Sequence, residues 1–271
     1  MNRTIGGAGS GAADEVAGWV PPIARVGYAA KGVVFALIGW IAIKAAMATG
    51  DPGGATDALA SLRDETGGQL MLMVIAIGLL AHVVWRVVQA LLDPEHVDTD
   101  AKRIAVRLFY ALSAVVYASL AWTAWQLSRG EQGGSENGQE IWVARLLDQP
   151  FGQWLVMLAG LGVIAYGVHQ LVKAAQGDVS RKMRSGDAVD PHWVILVGRI
   201  GVAARGFVFL PVGWFVFRAG QEYRAEQAAD LDEVLQMLGH GWLLGAVGVG
   251  FIAYGLHQIA KAAYRRIDRP S

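Results

Sequence analysis

Long apolar runs, broken by short polar connectors, set the pattern of this chain. Leu108 to Ser128, Pro150 to Val172 and Val234 to Ala260 contain no Lys, Arg, Asp or Glu. Each is long enough to cross a hydrocarbon layer of ~30 Å, which takes about 20 apolar residues as helix. Gly67 to Trp85 is a fourth run, more polar at its start. Two further stretches, near 26–48 and 195–218, are interrupted by Lys31 and Arg205 and carry the pattern only weakly by themselves. Between the runs, Thr56–Leu62, Ile141–Leu147 and Asp230–Leu238 place apolar residues on one face and predict short amphipathic turns. The breaks are clear: Thr49–Gly54, Asp93-Pro94 and the glycine-rich Gly130–Gly138 cannot continue a helix.

Internal repetition strengthens the two weak spans. GLGVIAYGVHQLVKAA, from Gly160 to Ala175, returns 88 positions later as GVGFIAYGLHQIAKAA, from Gly248 to Ala263. A worn copy, AIGLLAHVVWRVVQAL, runs from Ala76 to Leu91. The intervening spans align too: Arg25 to Gly32, Arg107 to Ala114 and Arg199 to Gly206 share a frame that also brings Trp40, Trp122 and Trp214 into one column. Such self-similarity marks one small unit used three times. The expectation is an all-α integral membrane protein, with six spans as three parallel two-helix repeats in a pseudo-three-fold bundle. Repeat 1 covers residues 23–93, repeat 2 covers 104–176 and repeat 3 covers 194–265. A disordered cytoplasmic tail, 1–22, and a C-terminal tail, 266–271, flank them.

Composition agrees. Of 271 residues 54% are hydrophobic and 17% charged, against roughly 25% charged in soluble domains. There is no cysteine, hence no disulfide framework or thiol chemistry. The polar, glycine-rich first 18 residues do not resemble a signal peptide. Net charge is zero but its distribution orients the chain. Lys44, Arg63, Arg129, Arg145, Arg218 and Arg224 lie with the connectors inside each repeat, and the other 17 of 23 basic residues lie at the opposite end. By the positive-inside rule both termini are expected in the cytoplasm.

Three tandem two-helix units, each opening with an Arg-x-Gly-Tyr-like motif and closing with a Gly-x-x-x-Tyr-Gly-like one, resemble a family of bacterial membrane proteins defined by domain of unknown function 1206. The resemblance covers about residues 23 to 264. It implies six spans in a bacterial plasma membrane and transfers no activity. Repeat 1 departs from the closing motif, with His82 in the tyrosine column and Trp85-Arg86 where the others have His-Gln.

Several residues could carry chemistry. Lys31 and Arg205 each lie six residues past Arg25 or Arg199, ~9 Å further into the membrane. Intramembrane cations are costly and mark functional sites. Alternatively they snorkel back over Gly27 and Gly201, four residues earlier, where repeat 2 has Phe109 below Ser113. Arg25, Arg107 and Arg199 recur at the inner ends of the odd spans. They read either as anchoring charges or, with Lys31, Arg86 and Arg205, as a cationic collar for anionic lipid or another anionic ligand. His169 and His257, near the inner ends of the fourth and sixth spans, join the candidates for the ligand- or lipid-binding site, hydrogen bonding between helices being the other reading of them. No histidine recurs in all three repeats at one position, so no metal site is expected. Small residues at spacing four, such as Gly32 and Ala36, Ala114 and Ala118, or Gly241 and Gly245, predict close-packing faces or self-association.

No Walker loop, nucleophile elbow, HExxH motif or catalytic carboxylate pair is present. No cofactor, metal or nucleic-acid partner is expected. Carboxylates are missing from the interiors of the spans, which disfavours proton-coupled cation transport. The expected function is that of a non-enzymatic multi-pass protein of the bacterial plasma membrane. Its cytoplasmic-side collar binds anionic lipid or another anion, and its expected partners are membrane lipids, anionic ones included, and further copies of itself in a homo-oligomer. The alternative is an anion or small-solute channel or transporter along the pseudo-three-fold axis.

Overall fold

Apolar runs this long have only one way to satisfy their backbone in lipid, which is to bond it within helices. A computed structural model describes residues 7–47, 55–63, 65–92, 100–131, 138–178, 191–228, 231–239 and 241–264. Its helices are α1 (Gly7–Ala46), α2 (Ala55–Ala60), α3 (Gly68–Leu92), α4 (Asp100–Ser128), α5 (Gly138–Leu147), α6 (Gly152–Gln176), α7 (Pro191–Glu222), α8 (Leu231–Met237) and α9 (Trp242–Tyr264). Six contain segments long and apolar enough to cross a membrane: Pro22–Ala46, Gly68–Leu91, Val106–Ser128, Gly152–Gln176, His192–Glu222 and Trp242–Tyr264. These are the six spans the pattern predicts. One detail differs from expectation: residues 7–22, expected within a disordered tail, continue α1. Pro211 lies inside α7. At the end of α6, Gly177 adopts φ 71° and its N–H bonds the carbonyl of Ala174, a left-handed stop that glycine makes without strain.

The hairpins interlock. The closest helix pairs are α1 with α9, α6 with α7 and α3 with α4, and each joins one repeat to the next. Within repeats, α1 packs on α3 and α7 on α9. Reciprocal glycines seven residues apart build two of the interfaces between repeats. A Cβ on Gly32 would lie 2.7 Å from the carbonyl oxygen of Gly255, and one on Gly39 would lie 2.4 Å from that of Gly248. In α6 and α7 the same columns pair Gly167 with Gly206 and Gly160 with Gly213. In α3 and α4 these columns hold buried Ala76, Ala114 and Ala121. The packing period is therefore seven, the repeat of left-handed helix pairs, rather than the four expected. Ala36 does join Gly32 against Gly255, whereas Gly241 faces open space.

Repeat 2 breaks the pattern. A Cβ on Gly27 would sit 2.5 Å from the Cα of His82, and one on Gly201 would sit 2.4 Å from the Cα of Tyr254. One turn further, Gly78 meets Ala30 and Gly250 meets Ala204. In repeat 2 the matching residues are Phe109 and Leu112 opposite Tyr166 and Gly162. Nothing lies within 4 Å of where a Cβ on Gly162 would be. Consistent with this, α4 and α6 are not a closely packed pair among the described helices. They meet instead through rings, Phe109 and Tyr166 lying 4.5 Å apart. Phe109, where the other hairpins have glycine, stands between the two helices against Tyr166, and Leu112 is exposed.

The short helices α2, α5 and α8 correspond to the predicted amphipathic turns. Each turns apolar side chains onto the bundle, with Leu59, Val143, Leu147, Val234 and Leu235 buried. Outward-facing surfaces are apolar along the spans. Trp40, Trp122 and Trp214 stand exposed in one column, as an interfacial belt requires.

Candidate functional site

The interior of the bundle holds a cluster of cations and aromatic rings, assembled by the repeat. Phe35, Tyr117 and Phe209 occupy one column of the odd spans, one turn beyond Lys31, Ser113 and Arg205. His82, Tyr166 and Tyr254 occupy one column of the even spans. Since the even helices run back past the odd ones, the two columns meet at mid-depth. Every one of α1, α3, α4, α6, α7 and α9 contributes a side chain.

Lys31 is 1% exposed, among the most buried large side chains of the protein. Its Nζ lies 4.6 Å from the ring centre of Tyr117 and 5.9 Å from those of Phe35 and Tyr254. Cation–π attraction of about 0.5–2 kcal/mol per favourable contact offsets part of the burial cost. The charges nearest in effect are those of Arg205, Arg86 and Lys261, all of its own sign. Arg205 is 7% exposed. It donates to the hydroxyls of Tyr166 at 2.7 Å and Tyr254 at 3.0 Å. Its guanidinium carbon lies between 4.6 and 5.7 Å from the rings of Phe209, Tyr254, Tyr166 and Phe35. Its Nε is buried without a hydrogen-bond partner. Phe35 and Tyr254, 4.7 Å apart and edge-on, form a wall shared by both cations.

Arg86 supplies the third charge. It donates to His82 Nε2 at 3.3 Å and to Gln89 at 2.9 Å, and its guanidinium lies 5.1 Å from the Tyr110 ring. Because Nε2 of His82 accepts, its ring hydrogen belongs on Nδ1, which is buried without a partner. His82 also packs edge-on to Tyr28 and Tyr117. Gln258 donates to the Tyr254 hydroxyl at 2.9 Å.

The structure thus sorts the eight candidate residues. Lys31, Arg86 and Arg205 converge. Arg107 donates to the carbonyls of Ala90 and Leu91 at the end of α3, and Arg199 to those of Ala174 and Ala175 at the end of α6. These two cap the C-termini of helices in the preceding repeat, where cations are favoured. Arg25 and His169 are exposed. His257 is 1% exposed, with neither ring nitrogen bonded. Snorkelling is not what Lys31 and Arg205 do, because Gly27 and Gly201 are occupied by the backbones of His82 and Tyr254.

Sequence reasoning did not mark the aromatic cage, Phe35, Tyr117, Tyr166, Phe209 and Tyr254. The signal was present: these rings recur in two repeat columns, at the depth of the interior cations.

Fold and buried centre together define a six-span membrane protein made of three tandem hairpin repeats. The chain belongs to the family described as Domain of Unknown Function (DUF1206), which matches residues 26–93, 108–177 and 200–265, one segment per repeat. It is similar to Uncharacterized protein YxxB of Bacillus subtilis (strain 168), at 31% identity over 260 residues, which covers 93% of this chain and 94% of that protein. No solved structure matches.

Proposed function

We propose that this is a non-enzymatic protein of the bacterial plasma membrane, with both termini cytoplasmic, that binds an anion inside its bundle. Lys31, Arg86 and Arg205 are the attracting charges and the surrounding tyrosines the donors. The observation that carries the reading is an imbalance. Lys31 and Arg205 share the wall of Phe35 and Tyr254 and part-buried Arg86 adjoins them through His82 and Tyr117, while the six spans contain no carboxylate except Glu222 at the very end of the fifth. Like charges at low dielectric repel strongly, and an unpaired buried cation is costly. A bound anion relieves both.

Lipid headgroups and soluble anions share this chemistry. Native mass spectrometry of gently solubilised protein separates them, wild type beside Lys31→Leu, Arg205→Leu. A retained anion, lipid or small, that disappears in the double variant is the expected result. Identical, ligand-free spectra from both forms would refute the reading. Conduction along the axis is a second reading, favoured because Lys31 and Arg205 face the interior. It requires the buried rings of Phe35, Tyr117 and Tyr254 to move aside, and anion flux into liposomes tests it.

A further inference from the structure

We infer that the ligand of the buried cations is an amphiphilic anion that reaches them sideways from the bilayer, between α4 and α6. This rests on the anion-binding reading above and names its substrate class: a carboxylate or phosphate head on an acyl chain. Three independent features point to that seam. First, of the three hairpins only the middle one lacks close helix packing among the described residues, and it carries Phe109, set against Tyr166, and exposed Leu112 where the others have glycine and alanine. Second, Gly162 presents bare backbone to open space on α6. The matching Gly78 and Gly250 are covered by Ala30 and Ala204.

Third, the seam leads to Arg205. Tyr166 packs against Phe109 across it, rings tilted and 4.5 Å apart, and accepts a hydrogen bond from Arg205 at 2.7 Å. It is only partly buried, whereas Tyr254, its counterpart in the closed hairpin of repeat 3, is 3% exposed. Arg205 keeps its Nε unpartnered within that same cage. Gly162 is one turn, ~6 Å, from Tyr166 along α6. A head bonded at Arg205 and Tyr166 therefore leaves its chain lying along Gly162 and Leu112, an apolar strip open to lipid. Half-buried Ser113, in the third cation position, leaves the α4 side of this path uncharged. A small hydrated anion would have no use for an apolar approach, and a zwitterionic lipid would bring its own cation against Arg205. The chemistry selects an anionic head with a single net sign.

The experiment uses the full chain in phosphatidylcholine vesicles, with a stearate carrying a nitroxide near its methyl end as probe. Spin-labelled phosphatidylcholine is the reference. The wild type should immobilise an excess of stearate over the reference. Arg205→Gln should weaken that excess roughly tenfold or more, as removing one partner of a buried charge pair does. Gly162→Leu, which enters open space and leaves the cations in place, should reduce it severalfold without lowering thermal stability. Excess stearate that is lost in Arg205→Gln but unchanged in Gly162→Leu would overturn the lateral route and keep the anion site. Displacement by inorganic phosphate, again with Gly162→Leu inert, would assign the site to a soluble anion. No excess in the wild type would overturn the amphiphilic ligand and its lateral route, whereas the anion-binding reading falls only with ligand-free mass spectra. A dimer in native mass spectrometry that Gly162→Leu dissociates would make a second copy the occupant of the seam, and would also overturn the proposal.

Discussion

Lys31 and Arg205 fill the same repeat position, yet their removal should have opposite effects on stability. Lys31 is held by ring faces and opposed by cations of its own sign. Lys31→Met keeps the volume and discards the repulsion, so thermal unfolding in nanodiscs should rise or stay level, since apolar replacements of buried charge are often neutral or stabilising. Arg205 bonds two tyrosine hydroxyls. Arg205→Leu orphans the Tyr166 hydroxyl and leaves Tyr254 with the Gln258 amide alone, at a cost of about 1–3 kcal/mol for a buried group left unpaired. A lower transition for Lys31→Met, or no change for Arg205→Leu, would contradict this assignment of roles. The depth of both residues was legible in the sequence, six positions past an arginine. Their direction was not. Gly27 and Gly201 read as space for a side chain, because the backbone that fills that space comes from another helix.

At the level of helices, the sequence states plainly that repeat 2 is different, with Phe109 for glycine. What it does not state is whether Phe109 fills a gap or creates one, since that depends on how close the partner helix must come. This difference makes a sharp prediction, helped by the absence of any native cysteine. The pair Ala30→Cys, Gly78→Cys should cross-link under mild oxidant once the helices part by about 1 Å, since a Cβ on Gly78 would start 2.4 Å from that of Ala30 and a disulfide holds its Cβ atoms about 3.5–4.5 Å apart. The equivalent pair Leu112→Cys, Gly162→Cys should stay reduced, and should cross-link once Phe109→Gly is added. Equal cross-linking of both original pairs would mean that the middle hairpin closes like the others.

For the whole molecule, repetition was the strongest signal. It recovered two spans that hydropathy alone leaves weak, and placed all three hairpins in one sense. The order of packing around the bundle was not legible, because it is set between repeats, by glycines whose partners lie far along the chain. The orientation proposed from basic residues is tested with reporters fused after Ser271. Green fluorescent protein there should fluoresce and alkaline phosphatase should stay inactive. The reverse pair of results would invert the topology, and with it the leaflet that the α5 end of the seam faces.

The closest seams include that between α1 and α9, which carry the earliest and latest of the six spans in chain order. During synthesis, Lys31 and the glycine faces at Gly32 and Gly39 must therefore wait in the membrane for more than two hundred residues before Tyr254, Gly255 and Gly248 arrive to cover them. A chain cut short after α7 keeps its other contacts between repeats and still exposes a charged, glycine-lined flank to lipid. That flank is a mark of incompleteness that membrane proteases and chaperones can read, so quality control of this protein should act on α1 and be silenced by α9.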